Sequence, residues 1–207
     1  MTEETWLLPY IEQSAGGLAF DIGANVGEVT AAIAEHFEGV LAVEPDPRAF
    51  KDLASSAAKN VLCQHGAAAA RNGATDLLLR PNSVQSSLLE EHPIGAGDQT
   101  EAPVIERVGV NTYTLDFLLF IARQRFGDLP LTFIKVDVEG FEGDVLAGAT
   151  DPVFRSVRWL IEIHDREREV GLELQRMGYD DIEIIPHPHK GAHPKHFWVY
   201  AEPMKTK

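Results

Sequence analysis

Two stretches of this 207-residue chain gather side chains whose types and spacing suit chemistry on a bound small molecule. In the first, Phe20-Asp-Ile-Gly-Ala-Asn-Val-Gly27, an apolar run passes through Gly23 and Gly27 into an amphipathic segment. Glycines at a strand-to-helix junction let the backbone approach a ligand and let the helix pack tightly on the sheet. Unpaired N–H groups at the helix start can hold an anion. Asp21, at the strand end, can accept a hydrogen bond from the ligand or brace the turn. Glu44 follows 21 positions after Gly23, at the end of the next apolar run. A carboxylate offers acceptors and no donors there, which matches the two hydroxyls of a ribose. Any one of these features alone would be a tight turn or a solvated acid; occurring together in this order, they favour binding.

The second stretch is Phe133-Ile-Lys-Val-Asp-Val-Glu-Gly-Phe-Glu142, again at the end of an apolar run. Asp137 and Glu139 should emerge at the same carboxyl edge as the first turn, where open α/β sheets bind ligands. With Glu142 they place three carboxylates within six positions, an arrangement that needs a cation: a sulfonium, a metal or Lys135. The plainer account is that Glu139 and Glu142 favour a helix N-terminus. Asp137 is the first candidate for a general base and His164 the second, because an imidazole titrates near neutral pH; Glu139 joins them as a candidate catalytic group. Glu162 alternates with His164, so both face one side of a strand. With Asp137 they could hold a divalent metal, although the leading reading assigns none.

The elements that must position these residues alternate between short apolar runs and amphipathic segments, the pattern of a mostly parallel sheet covered by helices. Strands are expected at Leu18–Ile22, Gly39–Val43, Val61–His65, Asp76–Arg80, Leu131–Val136, Val157–Ile163, Asp181–Ile185 and His196–Ala201. Helices are expected at Val26–Phe37, Pro47–Ala58, Thr114–Phe126, Phe141–Leu146 and Arg166–Met177. Asp46 is a plausible cap with Pro47 in the first turn, and Gly148 and Gly178 are stops. The stretch from Pro81 to about Asn111 shows little periodicity and reads as an active-site loop or lid. It includes Ser83-Val-Gln-Ser-Ser87, whose hydroxyls could touch cofactor or acceptor. His187, His189, His193 and His196 crowd together near the C-terminus, but the prolines among them favour an irregular connection over a metal site.

Composition narrows the function further. A formal net charge of −14 opposes attraction to phosphate backbones and anionic lipid, so nucleic acid and membrane are not expected partners. Cys63 is the only cysteine, which rules out an intrachain disulfide and a cysteine-based zinc site. The first residues lack a basic and then apolar leader, and no apolar run approaches the ~18–20 residues of a membrane span, so a cytoplasmic protein is expected. A single domain over 1–207, with its core at about 18–201, is consistent with this length.

Which nucleotide the first turn would hold depends on Asn25, which stands where a pyrophosphate-binding Gly-x-Gly-x-x-Gly turn has its second glycine. That residue and the acid opening the turn suit a cofactor without phosphates, such as S-adenosylmethionine with its carboxylate at the helix start. In these blocks the chain resembles the FkbM family of S-adenosylmethionine-dependent methyltransferases. The resemblance rests on Phe20-Asp-Ile-Gly-Ala-Asn-Val-Gly27, Ala42-Val-Glu-Pro45, Thr114-Leu-Asp116 and Ile134-Lys-Val-Asp-Val-Glu-Gly-Phe-Glu142. Val145-Leu-Ala-Gly-Ala149 and Leu160-Ile-Glu-Ile-His164 extend it over about residues 18–165. It implies a Rossmann-like, seven-stranded α/β methyltransferase fold, with helices on both faces of the sheet, and typically O-methylation of a hydroxyl on a small molecule or sugar. It also implies that Asp21, Gly23, Asn25, Gly27 and Glu44 line the S-adenosylmethionine, with Ala24 and Pro45 beside them, and that Asp137 lies between cofactor and acceptor. The chain departs from the family in having little ahead of its first strand and in Phe141, where a small residue is common. Both departures bear on the acceptor. The rival readings are an NAD-dependent oxidoreductase and a non-catalytic cofactor-binding module.

Overall fold

Leu18–Ile22 (β1) buries all five of its residues, as a strand covered on both faces must. It belongs to a seven-stranded sheet with β2 (Gly39–Glu44), β3 (Val61–His65), β7 (Leu131–Val136), β8 (Arg158–His164), β9 (Ile182–Pro186) and β10 (His196–Ala201). The order is β3-β2-β1-β7-β8-β10-β9; β10 runs antiparallel to both its neighbours and the other pairs are parallel. The structure is a computed structural model that describes residues 5–81, 88, 103–164, 166–187 and 196–203.

The chain builds outward from β1 through β2 to β3, then returns to place β7 on the other side of β1. The carboxyl ends of β1 and β7 therefore flank the switch point, where an open α/β sheet leaves a crevice. Both stretches singled out for chemistry leave the sheet at this crevice.

Helices cover both faces. On one face α4 (Leu115–Phe126), α5 (Glu142–Ala147) and α6 (Glu167–Met177) bring Leu118, Leu146 and Leu174 against Ile22, Ile134 and Ile161. On the other, α1 (Leu8–Glu12) and α2 (Glu28–Ala34) bring Ile11 and Ile33 against Ala19, Val40 and Phe133. Phe133 and Ile134 thus enter opposite cores, as the two-residue period of a strand requires. Each such side chain, fully buried, stabilises the fold by about 1.5–3 kcal/mol. α3 (Pro47–Ser56) starts as expected: Asp46 accepts a bond from the Arg48 N–H at 2.9 Å and Pro47 occupies the first turn. Thr114 caps α4 in the same way through the Phe117 N–H at 3.2 Å. Among the described residues, no helix is long and apolar enough to cross a membrane.

Three differences from the sequence expectation have physical causes. The stretch Pro81–Asn111 is not irregular throughout, because Glu106–Tyr113 is a strand (β6). With β4 (Ala67–Ala68) and β5 (Gly73–Leu79) it forms a second sheet in the order β4-β6-β5. Its buried side is only Val110 and Thr112, so Arg107, Gly109 and Asn111 hide the alternation. Helix α2 begins at Glu28 rather than Val26, because Gly27 takes a left-handed conformation at its start. Ahead of β1, Thr5–Leu7 is a 3-10 turn leading into α1, and Trp6 sits edge-on to Trp198 at 5.2 Å. Ser83–Ser87, His189 and His193 lie outside the described residues.

Candidate active site

Gly23 is where the two strand ends meet. Its φ is +78°, and a Cβ added there would lie 1.7 Å from the Asp137 carbonyl oxygen, so only glycine fits. Lys135, reaching across from β7, donates to the Gly23 carbonyl oxygen at 3.0 Å. Its Nζ also stands 3.3 Å from Asp21 Oδ1 and 3.4 Å from Asp137 Oδ2. Asp21 is fully buried and its other oxygen accepts from the Thr30 hydroxyl at 2.6 Å. It therefore braces α2 and Lys135 and does not line the crevice.

A cavity of about 320 Å³ opens between the turn and β7. Gly23, Ala24, Asn25, Glu44 and Pro45 line one side, and Lys135, Asp137 and Glu139 another. Gly27 lies behind the cavity; a Cβ there would come within 2.8 Å of Leu53 Cδ1, which explains the glycine through helix packing. Asn25 adopts φ +48°, a left-handed conformation that asparagine tolerates better than most residues. This aims its N–H at Glu44 Oε2, 2.8 Å away, while the Asp46 N–H holds Oε1 at 2.7 Å. Burial nevertheless pushes the Glu44 carboxyl up to about 7, against those two bonds.

The second turn is as tightly determined. Glu139 is left-handed at φ +52°, followed by Gly140 at +96°. A non-glycine residue there costs roughly 1–2 kcal/mol, and strain of this kind collects at functional sites. The Gly140 N–H donates to Glu142 Oε1 at 2.9 Å. Glu142 is fully buried and the same oxygen lies 2.8 Å from His164 Nδ1. His164 Nε2 stands 3.5 Å from Glu139 Oε2 and 3.7 Å from Glu162 Oε1. Burial works against the His164 imidazolium, but the bond to Glu142 and the charges of Glu139, Glu142 and Glu162 prevail, raising its pKa to about 10. Glu162 is pushed up to about 7 by burial and by Asp137, while His187 approaches it at 3.0 Å. Burial disfavours the Asp137 carboxylate, yet Lys135 and His164 hold it below the usual range.

The structure therefore brings Asp137, Glu139, Glu142, Glu162 and His164 together, with Asp137 and Glu139 on the cavity wall and the others behind it. An imidazole that keeps its proton at neutral pH is a poor base, so His164 acts here as a counter-charge. The sequence did not single out Lys135 as a wall residue, nor Ala67, Ala68 and Leu77, which give the cavity its apolar part. Gly66, with φ +142°, was the available signal for the latter: it ends β3 by the same glycine device as Gly23 ends β1.

Residues 21–185 match the Methyltransferase FkbM domain. Among solved structures, the FkbM methyltransferase of Methylobacillus flagellatus KT superposes with a TM-score of 0.57 at 18% identity, over 90% of this chain and 43% of that one. This chain thus spans less than half the length of that relative. An rRNA methylase from Streptococcus thermophilus superposes over 99% of this chain and 98% of its own, with a TM-score of 0.54 at 12% identity. A Streptococcus mutans protein assigned as a methyltransferase, in complex with SAH, does so over 99% and 100%, at 0.53 and 12%. At these identities the likeness is one of fold. No curated protein matches the chain.

Proposed function

The chain belongs to the FkbM methyltransferase family, and from that premise we propose that it transfers the methyl group of S-adenosylmethionine to a hydroxyl on a small molecule or sugar. The observation that carries the reading is Glu44: a buried carboxylate on the cavity wall, oriented by two backbone N–H groups. Such a group suits a ribose diol.

The residues fit this cofactor better than a dinucleotide. A cavity of about 320 Å³ is in the size range of small-ligand sites. Its described wall carries Glu28, Glu44, Asp137 and Glu139 against a single cation, Lys135, which is already engaged by Asp21 and Asp137. That charge repels a pyrophosphate and attracts a sulfonium. Ala67, Ala68 and Leu77 supply an apolar surface for a purine.

When bound, S-adenosylmethionine supplies a methyl group on a positively charged sulfur, and the acceptor oxygen displaces a neutral thioether. The chain's part is to bind, align and exclude water, and alignment can be worth up to ~7–11 kcal/mol. Glu44 holds the ribose. Asp137, kept ionised by Lys135, orients the sulfonium and the acceptor hydroxyl, and Glu139 beside it takes the hydroxyl proton. Phe141 and Val138 close the wall against water. The net charge of −14 supports a small acceptor over a nucleic acid.

Calorimetry with S-adenosylmethionine, S-adenosylhomocysteine and NAD tests the reading. The first two should bind and NAD should not; NAD binding alone would reverse the assignment. Transfer of a labelled methyl group to a panel of hydroxylated small molecules then identifies the acceptor.

A further inference from the structure

We infer that Asp137, Glu162 and His164 form a divalent-metal site at the edge of the cofactor cavity, built for a dication of the Mn²⁺ or Zn²⁺ kind. The three residues come from the ends of neighbouring strands β7 and β8, and each offers one donor atom within 4.8 Å of the others. Metal bonds of about 2.1 Å place donors roughly 3–4 Å apart, so small side-chain rotations would close the set.

The surroundings of His164 set it apart from an ordinary acidic cluster. Its Nδ1 lies 2.8 Å from Glu142 Oε1, a carboxylate that is fully buried and itself anchored by the Gly140 N–H. Metal-binding histidines characteristically give their other nitrogen to such a carboxylate, which fixes the ring and the tautomer. That leaves Nε2 facing the carboxylates of Glu162 and Glu139. A dication there replaces a proton as the counter-charge of the group.

The same carboxylate adds a second observation. Glu142 Oε2 is buried with no hydrogen-bond donor among the described residues. Once His164 gives up its proton to bind through Nε2, the four carboxyl groups of Asp137, Glu139, Glu142 and Glu162 keep Lys135 as a counter-charge. Lys135 is shared with Asp21 as well. Buried charge of one sign in such excess is costly unless another cation joins it. His187 Nε2, 3.0 Å from Glu162 Oε1, adds a nitrogen at the rim. An imidazole among carboxylates favours Mn²⁺ or Zn²⁺ over Ca²⁺.

Asp137 lines the cavity, so an ion held by it stands beside the proposed cofactor site. In the methyl-transfer reading, on which this one extension rests, the ion selects an acceptor that presents its hydroxyl next to a second oxygen, as a vicinal diol does.

The metal is tested without the cofactor. Mn²⁺ is titrated into the chelator-treated full chain and free ion is followed by electron paramagnetic resonance. One Mn²⁺ should bind per chain and be displaced by Zn²⁺. Glu162→Gln, nearly isosteric, should abolish stoichiometric binding, and Glu142→Gln should weaken it about 10- to 100-fold. Asp52→Asn, on the exposed side of α3, should leave it unchanged. A wild-type chain that binds neither ion stoichiometrically overturns the site, as does a folded Glu162→Gln chain that binds Mn²⁺ like wild type. Calorimetry with S-adenosylmethionine on the same sample separates the two readings: cofactor binding without Mn²⁺ binding defeats the metal site alone, and Mn²⁺ binding without cofactor binding leaves it standing.

Discussion

Replacing Glu44 by Gln removes charge with almost no change in volume, so it isolates what the carboxylate does. In the wild type its two oxygens accept N–H bonds at 2.8 and 2.7 Å from Asn25 and Asp46. The amide keeps one acceptor and turns an NH₂ toward the other N–H. The variant also offers a ribose one acceptor fewer, and a hydrogen bond to a charged group is worth about 1.5–3 kcal/mol. Affinity for S-adenosylhomocysteine should fall about 10- to 150-fold at pH 8. Stability should change much less. Burial raises the Glu44 pKa from 4.5 to about 7, so above pH 7 the ionised acid costs the folded state about 3 kcal/mol. Removing that cost offsets the unpaired N–H, which is worth about 1–3 kcal/mol. The sign of the pH effect follows. Because the folded pKa is the higher one, this destabilisation develops as pH rises from 4.5 to about 7, and the proton must leave before the carboxylate can serve the diol. Wild-type affinity should therefore drop by up to tenfold per pH unit below 7, while the variant stays flat. Calorimetry between pH 5 and 8, paired with thermal melts, reads both. A variant that binds as tightly as wild type at pH 8, or a wild-type affinity indifferent to pH, would refute the assigned contact.

Two further perturbations address the frame around the site. Gly23→Ala combines a left-handed φ of +78° with a Cβ placed 1.7 Å from the Asp137 carbonyl oxygen. It should cost at least ~2 kcal/mol and lower the melting temperature by roughly 4–8 °C or more, together with loss of cofactor binding; an unshifted melt would mean that the strand ends do not meet as described. Lys135→Met leaves Asp21 and Asp137 without their shared cation and should destabilise by about 3–5 kcal/mol at pH 8. At pH 4 the loss should shrink, because the Asp137 carboxyl, which Lys135 holds below its usual range, can then take up a proton. Urea unfolding at both pH values checks this, and equal losses would place the lysine outside the network.

Much of the fold could be read directly because parallel strands buried on both faces leave unbroken apolar runs. β1, β2, β7 and β8 were placed within a residue or two for that reason. β6 escaped because it belongs to a small sheet with one poor core face, where Arg107 and Asn111 alternate with half-buried positions. The glycine turn, Asp137 and Glu139 were legible through their spacing alone. The inward turn of Asp21 was not, because it depends on Lys135, 114 positions away, and on the Thr30 hydroxyl. A long-range ion pair leaves no mark on local pattern. The same holds for Glu142 and His164, whose contact spans 22 positions and changes the histidine from a candidate base into a charged support.

Taken together, these contacts explain why so many acids can stand at one sheet edge. Asp21 and Asp137 are separated by a lysine that also bonds the Gly23 carbonyl, so the cation that neutralises them is the one that shapes the turn. Glu139, Glu142 and Glu162 surround a histidine in the neighbouring strand. The wall left facing the cavity is negative, while the charges behind it are partly balanced. A field of that kind is suited to a ligand that arrives positive and leaves neutral: in the proposed reaction a sulfonium would be held, and the thioether remaining after methyl transfer would lose the attraction. Product release and substrate capture would then depend on the same acids. Asp137→Asn should accordingly weaken S-adenosylmethionine far more than S-adenosylhomocysteine, and equal weakening of the two would show that the carboxylate does not sense the sulfur's charge.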